Sequence, residues 1–363
     1  MKLLNNLRRI SLQQKVLFGR HNEFLSGLSN TGKFWTKQFT QIEALSNSDI
    51  KRITGQYPGI MNVDIGTKAL NYGNKNDFDN LKYCILSYYE QVGGVITISC
   101  HLGNPWWYVE KGDGEPYRYK SKKHSNPVSD ILNGHVVFKE NETVKDWYDK
   151  KIATLIQFIS SLKDDDGTLI PVIFRPFHEA SHDAFWWGYC FCSNDDYIKL
   201  FRYTVERLRT KCSNILIAYS PDNNWTTLSS SDRYMDRYPG DQYVDILGMD
   251  SYGLDNEKSM NKCVEQLVYL STYAKTHNKV VALTETGNKG LKVPQWFCKR
   301  LYPILVAEDV NVAYIVVWGS WSVENGFLVP YKINSEEAKD FKRFVKKKQI
   351  YMSKKIKKLH LYE

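Results

Sequence analysis

No stretch of this 363-residue chain approaches the roughly 18 to 20 consecutive apolar residues that a membrane span requires. The opening segment, MKLLNNLRRISLQQK, has charge but neither a continuous apolar core nor a small-residue cleavage site. A soluble protein without a signal peptide is expected, cytoplasmic unless a leader precedes the sequence, in which case it is secreted. Cysteines are few and ill-suited to a disulfide framework. They number 7, at positions 84, 100, 190, 192, 212, 263 and 298, and the close pair Cys190 and Cys192 is not a C-x-x-C site. Reduced core residues are expected, which agrees with the cytoplasm. Glycines 93–94 and 287–290 read as turns without a phosphate-cradling motif, and no serine has a nucleophile-elbow context. No cofactor is implied.

An excess of one charge is missing from most of the chain. Of the net charge of +9, residues 341–363 contribute +8, leaving +1 for everything before them. A body this close to neutral is not a nucleic-acid-binding surface. The basic C-terminal tail suits peripheral contact with an anionic membrane or an acidic glycan, or else is a solvated helix or frayed end. Apolar residues at 42% and charged residues at 25% match ordinary globular usage and exclude disordered, collagen-like and coiled-coil chains. Aromatics are the outlier at 14%.

Short apolar, β-branched runs recur along the chain. They are Lys15–Arg20, Gly59–Gly66, Gly93–Leu102, Leu169–Glu179, Ile215–Asp222, Val244–Gly253, Lys279–Gly287 and Val312–Ser320. Near-continuous apolarity is what strands buried on both faces require. Between them lie stretches with helical spacing, such as Val144–Leu162, Asp195–Thr210 and Lys258–Thr276. Strands alternating with helices imply a parallel sheet, and eight of them close a barrel. The expected fold is α/β, a (β/α)8 TIM barrel with long βα loops. One domain should cover residues 1–340, with the basic tail at 341–363.

Polarity along these runs has a direction. Their C-terminal ends carry His101, Arg175, His178, Glu179, Asp222, Asp250, Tyr252, Glu285 and Trp318. In a parallel barrel those ends open onto one face, where active sites sit. Glu179 and Glu285 follow the fourth and seventh strands, which face each other across the mouth. Two carboxyl groups about 5 to 5.5 Å apart are what retaining glycoside hydrolysis uses, one as nucleophile and one as acid/base. A lone strand-end Glu is more often a structural ion pair. The tryptophans beside them, including Trp106, Trp107, Trp186, Trp187, Trp225, Trp318 and Trp321, can stack on pyranose faces.

His178-Glu-Ala-Ser-His182 also matches H-E-x-x-H, whose two histidines bind zinc one helical turn apart. Pro176 and the β-rich approach predict strand end, not helix, and no metal site is expected.

The residues FGRHNE, ITGQYPGIMNVDIG, ITISCHLGNP, RPFHEA with FWWG, YSPD, DILGMDSYG, LTETG and VVWGSW together resemble glycoside hydrolase family 26. This family contains β-mannanases on (β/α)8 barrels, and the likeness runs from about Val16 to Tyr331. The resemblance implies Glu179 as acid/base and Glu285 as nucleophile of a retaining mechanism. It implies that His101, Trp106, His178, Tyr252 and Trp318 contact the sugar, with Arg175 and Trp187 supporting them. Two departures stand out. Ala184 occupies a position where family mannanases often have Trp, and Gly319-Ser320 replace a common Arg-Asn.

The expected activity is cleavage of β-1,4-mannan or a mannose-containing glycan by a monomeric hydrolase acting on polysaccharide or oligosaccharide. Alternatives are another β-glycan (β-1,3-xylan, mixed-linkage β-glucan or a bacterial surface polysaccharide) and a weakly active carbohydrate-binding protein. The loop from Gly103 to Thr143 is a candidate wall for further sugar subsites.

Overall fold

Eight short, almost wholly buried strands carry the fold. They are β1 (Val16–His21), β2 (Ile60–Asp64), β3 (Val95–Ser99), β4 (Val172–Arg175), β5 (Ile215–Tyr219), β6 (Ile246–Asp250), β7 (Val280–Thr286) and β8 (Val312–Val317). Seven lie inside the apolar runs of the sequence, and β1 extends one residue, His21, beyond its run Lys15–Arg20. A computed structural model describes residues 2–36, 43–225 and 234–363. The sheet follows chain order from β8 back to β1, a short β9 (Ile350–Tyr351) lies beside β1, and β8 also pairs with β1. This is the expected closed (β/α)8 sheet. None of the described helices is long and apolar enough to cross a membrane.

Packing divides the chain into two units. The first comprises Met1–Val63, Asp79–Thr97 and Asp245–Glu363, and the second Asp64–Phe78 and Ile98–Val244.

In the first unit, β1 sits beside β8 in register Leu17↔Tyr314 through Arg20↔Val317. Helix α1 (Lys2–Leu12) buries Leu3, Leu7 and Ile10, a stripe at helical spacing. Phe18 of β1 touches the rings of Phe297, Phe341 and Phe344 at centroid distances of 6.4, 5.3 and 5.4 Å. The C-terminal end is part of this core, which corrects the expectation of a solvated tail. A boundary at 341 falls within the helix Glu336–Val345. Beyond it, Ile350 and Tyr351 pair with β1, and Ile356, Leu359 and Leu361 are at most 3% exposed. Asn6 Nδ2 donates to the carbonyls of His360, Leu361 and Glu363, and the Tyr362 hydroxyl donates to Gly94 O at 2.8 Å. Lysines 346, 348, 354, 357 and 358 face solvent from between these anchors.

One irregularity bears on function. Pairing between β6 and β7 steps from Met249↔Leu283 to Asp250↔Glu285, so β7 carries one extra residue, Thr284. The β7–β8 register shifts over the same stretch. A bulge of this kind re-aims the side chain that follows it.

The second unit is built on β4 and β5, paired Val172↔Ile215 through Phe174↔Ile217. Helix α2 (Val144–Ser160) begins at a capping box in which Thr143 and Asp146 satisfy each other's backbone N–H groups. Helix α3 (Asn194–Lys211) starts under the Ser193 side chain. A 2.6 Å hydrogen bond between the hydroxyls of Tyr148 and Thr204 ties the two helices together. The Gly103–Thr143 stretch is structured, with helices Pro105–Glu110 and Pro127–Asn133 and a small hairpin pairing Val137–Lys139 with Glu142–Thr143.

Candidate active site

The first unit presents Glu285 directly after the β7 bulge. Its side chain is buried, and Oε2 accepts a 2.7 Å hydrogen bond from the Tyr252 hydroxyl. Tyr252 lies two residues past β6, with its ring 4.4 Å from that of Phe327. The extra residue Thr284 donates its hydroxyl to Asp250 Oδ1 at 2.6 Å, which holds the bulge to the end of β6. At the end of β8, Trp318 donates its backbone N–H to Thr286 O and stacks on His21, ring centroids 3.9 Å apart and planes 16° from parallel. His21 Nδ1 is in turn hydrogen-bonded to the Asn62 side chain. Ser320, one of the two departures noted in the sequence, is buried and accepts from Arg20 at 2.8 Å. Arg20 also pairs with Glu23 and Asp49. The serine belongs to a buried ionic cluster.

The second unit carries Glu179 at the turn after β4. Phe177 and Glu179 both have positive φ, 48° and 52°, on either side of His178. Non-glycine residues adopt this conformation at a cost of about 1 to 3 kcal/mol, and such strain clusters at functional sites. The Glu179 backbone N–H is bonded to Ser220 O at 2.8 Å, which fixes the turn to the end of β5. Its carboxylate Oε2 lies 3.0 Å from His182 Nε2. Asp222 Oδ2 lies 3.5 Å from the same nitrogen.

The carboxylate of Glu179 raises the His182 pKa above its ordinary value, partly offset by burial. On the other side of the ring, Ala184 donates its backbone N–H to Nδ1 at 2.9 Å, which opposes a second ring proton. The backbone donor is a fixed geometric constraint, so the neutral form with its proton on Nε2 is the one this loop is built around.

His101 and His178 form a chain with Asp64. Asp64 Oδ2 lies 2.7 Å from His101 Nδ1 and also accepts from the His101 backbone N–H and the Ser99 hydroxyl. Asp64 therefore places a proton on Nδ1 of His101, whose Nε2 meets His178 Nε2 at 3.0 Å. With a neutral His101, His178 is the donor across that contact. Gly66 makes this approach feasible, because a Cβ there would overlap the His101 backbone. Arg175 is buried and donates to Ser220 Oγ at 2.9 Å. Trp187 is also buried, stacks with Phe185 at 4.8 Å and donates to His178 O at 2.8 Å. Both brace the turn after β4. Tyr117 and Arg118, from the Gly103–Thr143 loop, lie against the rings of His101 and Phe185. Burial pushes the Tyr117 hydroxyl up to about 12.

Trp106 is a correction. Its ring is 3% exposed, lies flat on His124 at 3.4 Å and donates its N–H to Asp130. Its face and polar edge are both engaged inside the loop, so it stiffens the wall and does not offer a platform to a sugar. The H-E-x-x-H residues lie in turn backbone, as expected. Nε2 of His178 faces His101 and Nε2 of His182 faces Glu179, and the pair does not aim at a common point.

Asp64, His21 and Asn62 were not singled out in the sequence, although Asp64 and His21 each end a barrel strand. In the sequence His182 stands out only as part of the H-E-x-x-H pattern. Counting every polar residue at a strand terminus finds the first two. The link from His182 to Glu179 depends on a turn that spacing does not reveal.

These strand ends define a (β/α)8 barrel whose C-terminal rim carries carboxylate, imidazole and indole groups, the class in which loops of one scaffold serve many chemistries. The family profile for glycosyl hydrolase family 26 matches residues 1–326. The chain belongs to glycoside hydrolase family 26. It is 31% identical to a β-mannanase of this family from Bacteroides ovatus, with a TM-score of 0.81 over 97% of this chain and 94% of that one. It is 26% identical to the catalytic domain of an endo-β-1,4-mannanase from Bacillus sp. JAMB-750, with a TM-score of 0.82 over 100% of this chain and 94% of that one. Among curated proteins, a mannan endo-1,4-β-mannosidase from Bifidobacterium adolescentis is 29% identical over 90% of this chain and 34% of its own length. One from Bacillus subtilis is 31% identical over 57% of this chain and 54% of its own length. The chain therefore spans only a third to about half of these two relatives.

Proposed function

We propose that the protein is a retaining endo-β-mannanase that hydrolyses β-1,4-linked mannose polymers. Glu285 attacks the anomeric carbon while Glu179 donates a proton to the departing glycosidic oxygen. Glu179 then takes a proton from water as that water releases the glycosyl-enzyme ester. The observation that carries this reading is the carboxylate of Glu285, buried on a bulged strand end with its Oε2 bound by the Tyr252 hydroxyl at 2.7 Å. A nucleophile needs that combination of a fixed orientation and a donor that favours the ionised form. The relatives, endo-acting β-1,4-mannanases, supply the substrate class.

His101 and His178 orient hydroxyls of the sugar whose bond is cut, with Asp64 setting the His101 tautomer. Trp318, backed by His21, offers its indole to a pyranose face. Arg175 and Trp187 hold the turn that bears the acid/base.

The test is a 2-deoxy-2-fluoro mannosyl probe with a good leaving group, followed by peptide mass mapping. Stoichiometric labelling of Glu285, and turnover of β-mannan with release of short oligosaccharides, are the expected results. A label on any other residue would overturn the nucleophile assignment. Rapid cleavage of β-1,3-xylan or mixed-linkage glucan with none of mannan would overturn the substrate. In the E285Q variant, turnover should fall by about 10⁴-fold or more while oligosaccharide binding persists.

A further inference from the structure

The acid/base residue has a companion that the proposed mechanism does not use. His182 Nε2 lies 3.0 Å from Glu179 Oε2, and the imidazole is partly exposed beside it. Its other nitrogen, Nδ1, accepts the backbone N–H of Ala184 at 2.9 Å. A ring nitrogen that accepts a hydrogen bond carries no proton, so the proton of neutral His182 sits on Nε2 and points at Glu179.

The charged groups around it are Glu179, Asp222 and Asp183, and Asp183 pairs with Lys120 at 3.5 Å. Asp222 is itself engaged by other donors, and its Oδ2 lies farther from His182 Nε2, at 3.5 Å, than Glu179 Oε2 does. Ser181 Oγ and Asn224 N bond its Oδ1 at 2.7 and 2.9 Å, and Asn224 Nδ2 bonds its Oδ2 at 3.0 Å. Phe185 stacks over the imidazole at 6.1 Å.

We propose that His182 is a positioning residue for the acid/base: its Nε2–H holds Oε2 of Glu179, so that the catalytic proton rides on Oε1 and is aimed at the leaving-group oxygen. This inference rests on Glu179 being the acid/base. In the first step Oε1–H breaks, its proton passes to the glycosidic oxygen, and the carboxylate left behind keeps the His182 donor. In the second step Oε1 takes a proton from the attacking water, again with Oε2 held. The Ala184 backbone opposes the protonation that Glu179 favours, because protonating Nδ1 would set two N–H groups against each other. The loop that lacks a tryptophan at 184 thus contributes its main chain to the acid/base.

Leaving-group dependence separates this role from general support of the loop. A proton donor matters when the leaving group is a sugar alkoxide and hardly at all when it is dinitrophenolate. The measurement is kcat/KM, which reports the glycosylation step, for H182F, H182A and H182Q on a manno-oligosaccharide and on dinitrophenyl β-mannobioside. Phenylalanine keeps a ring against Phe185 but has no donor, whereas glutamine keeps a donor and cannot titrate.

H182F and H182A should lose about tenfold or more on the oligosaccharide and stay within about twofold on the dinitrophenyl substrate, with H182Q restored to within about threefold of wild type. Equal losses on both substrates, no loss on either, or a glutamine variant as impaired as phenylalanine would each overturn the proposal. E179A, run in parallel, tests the reading beneath it. If E179A cleaves the oligosaccharide like wild type, Glu179 is not the acid and the mechanism itself falls. If E179A is inactive on the oligosaccharide while H182F is normal, only the role of His182 falls.

Discussion

The C-terminal segment offers the sharpest quantitative test of the fold. Leu359 is 2% exposed, and the chain around it is tied to the body of its unit by Asn6 and Arg9. Truncating a buried leucine to alanine removes its transfer free energy and leaves a cavity, about 2 to 5 kcal/mol in well-packed sites. Leu359 lies near a surface that can partly collapse, so L359A should lower the unfolding free energy by about 3 kcal/mol. N6A removes the amide that ties His360, Leu361 and Glu363 to α1, and because water can reach these oxygens it should cost only about 0.5 to 1.5 kcal/mol. Replacing the exposed Lys354, Lys357 and Lys358 together by glutamine should change stability by less than about 0.5 kcal/mol per site. Urea midpoints, read at constant m-value, measure all three. An L359A midpoint indistinguishable from wild type would mean that this end of the chain is not docked.

Other predictions concern the site. Y252F removes a hydrogen bond to a charged carboxylate, worth about 1.5 to 3 kcal/mol, so kcat/KM on mannan should fall about 10- to 150-fold with the fold intact by circular dichroism. A loss under threefold would refute the role given to the tyrosine. D64N replaces the acceptor that sets the His101 tautomer and should lower kcat/KM about tenfold or more, whereas loss of thermal stability alone would show that Asp64 is only structural. W318A should raise KM about tenfold while changing kcat less, and the reverse pattern would remove the indole from the sugar-binding surface. W106A, in contrast, should cost about 3 to 5 kcal/mol of stability, checked by urea titration, in keeping with a packing role.

Much of this architecture was legible in the sequence because barrel strands are buried on both faces. Their apolar runs stand out against amphipathic helices, and all eight were placed to within a few residues. The helices Val144–Ser160, Asn194–Lys211 and Glu257–His277 were found for the complementary reason, a regular apolar stripe between caps. The direction of polarity located the strand ends and with them both glutamates. The C-terminus was misread because nine basic residues mask a sparse apolar pattern. Phe341, Phe344, Ile350, Ile356, Leu359 and Leu361 are interrupted by lysines whose heads reach water while the backbone stays docked. Trp106 was misjudged because composition shows that an indole is present but not which way it faces. His182 and the Thr284 bulge depend on turn and register detail with no periodic signature.

The extra residue in β7 sets a hard limit on how this protein can change. Pairing sets Glu285 opposite Asp250, so excising Thr284 would keep that partner but remove the bulge that re-aims the carboxylate and the Thr284 hydroxyl that ties it to Asp250. Such a deletion would straighten the strand beneath the carboxylate while leaving the apolar stretch Val280–Leu283 untouched. A chain altered in this way should fold yet do no chemistry, so descendants of this sequence can vary the length of their loops far more freely than the length of this strand.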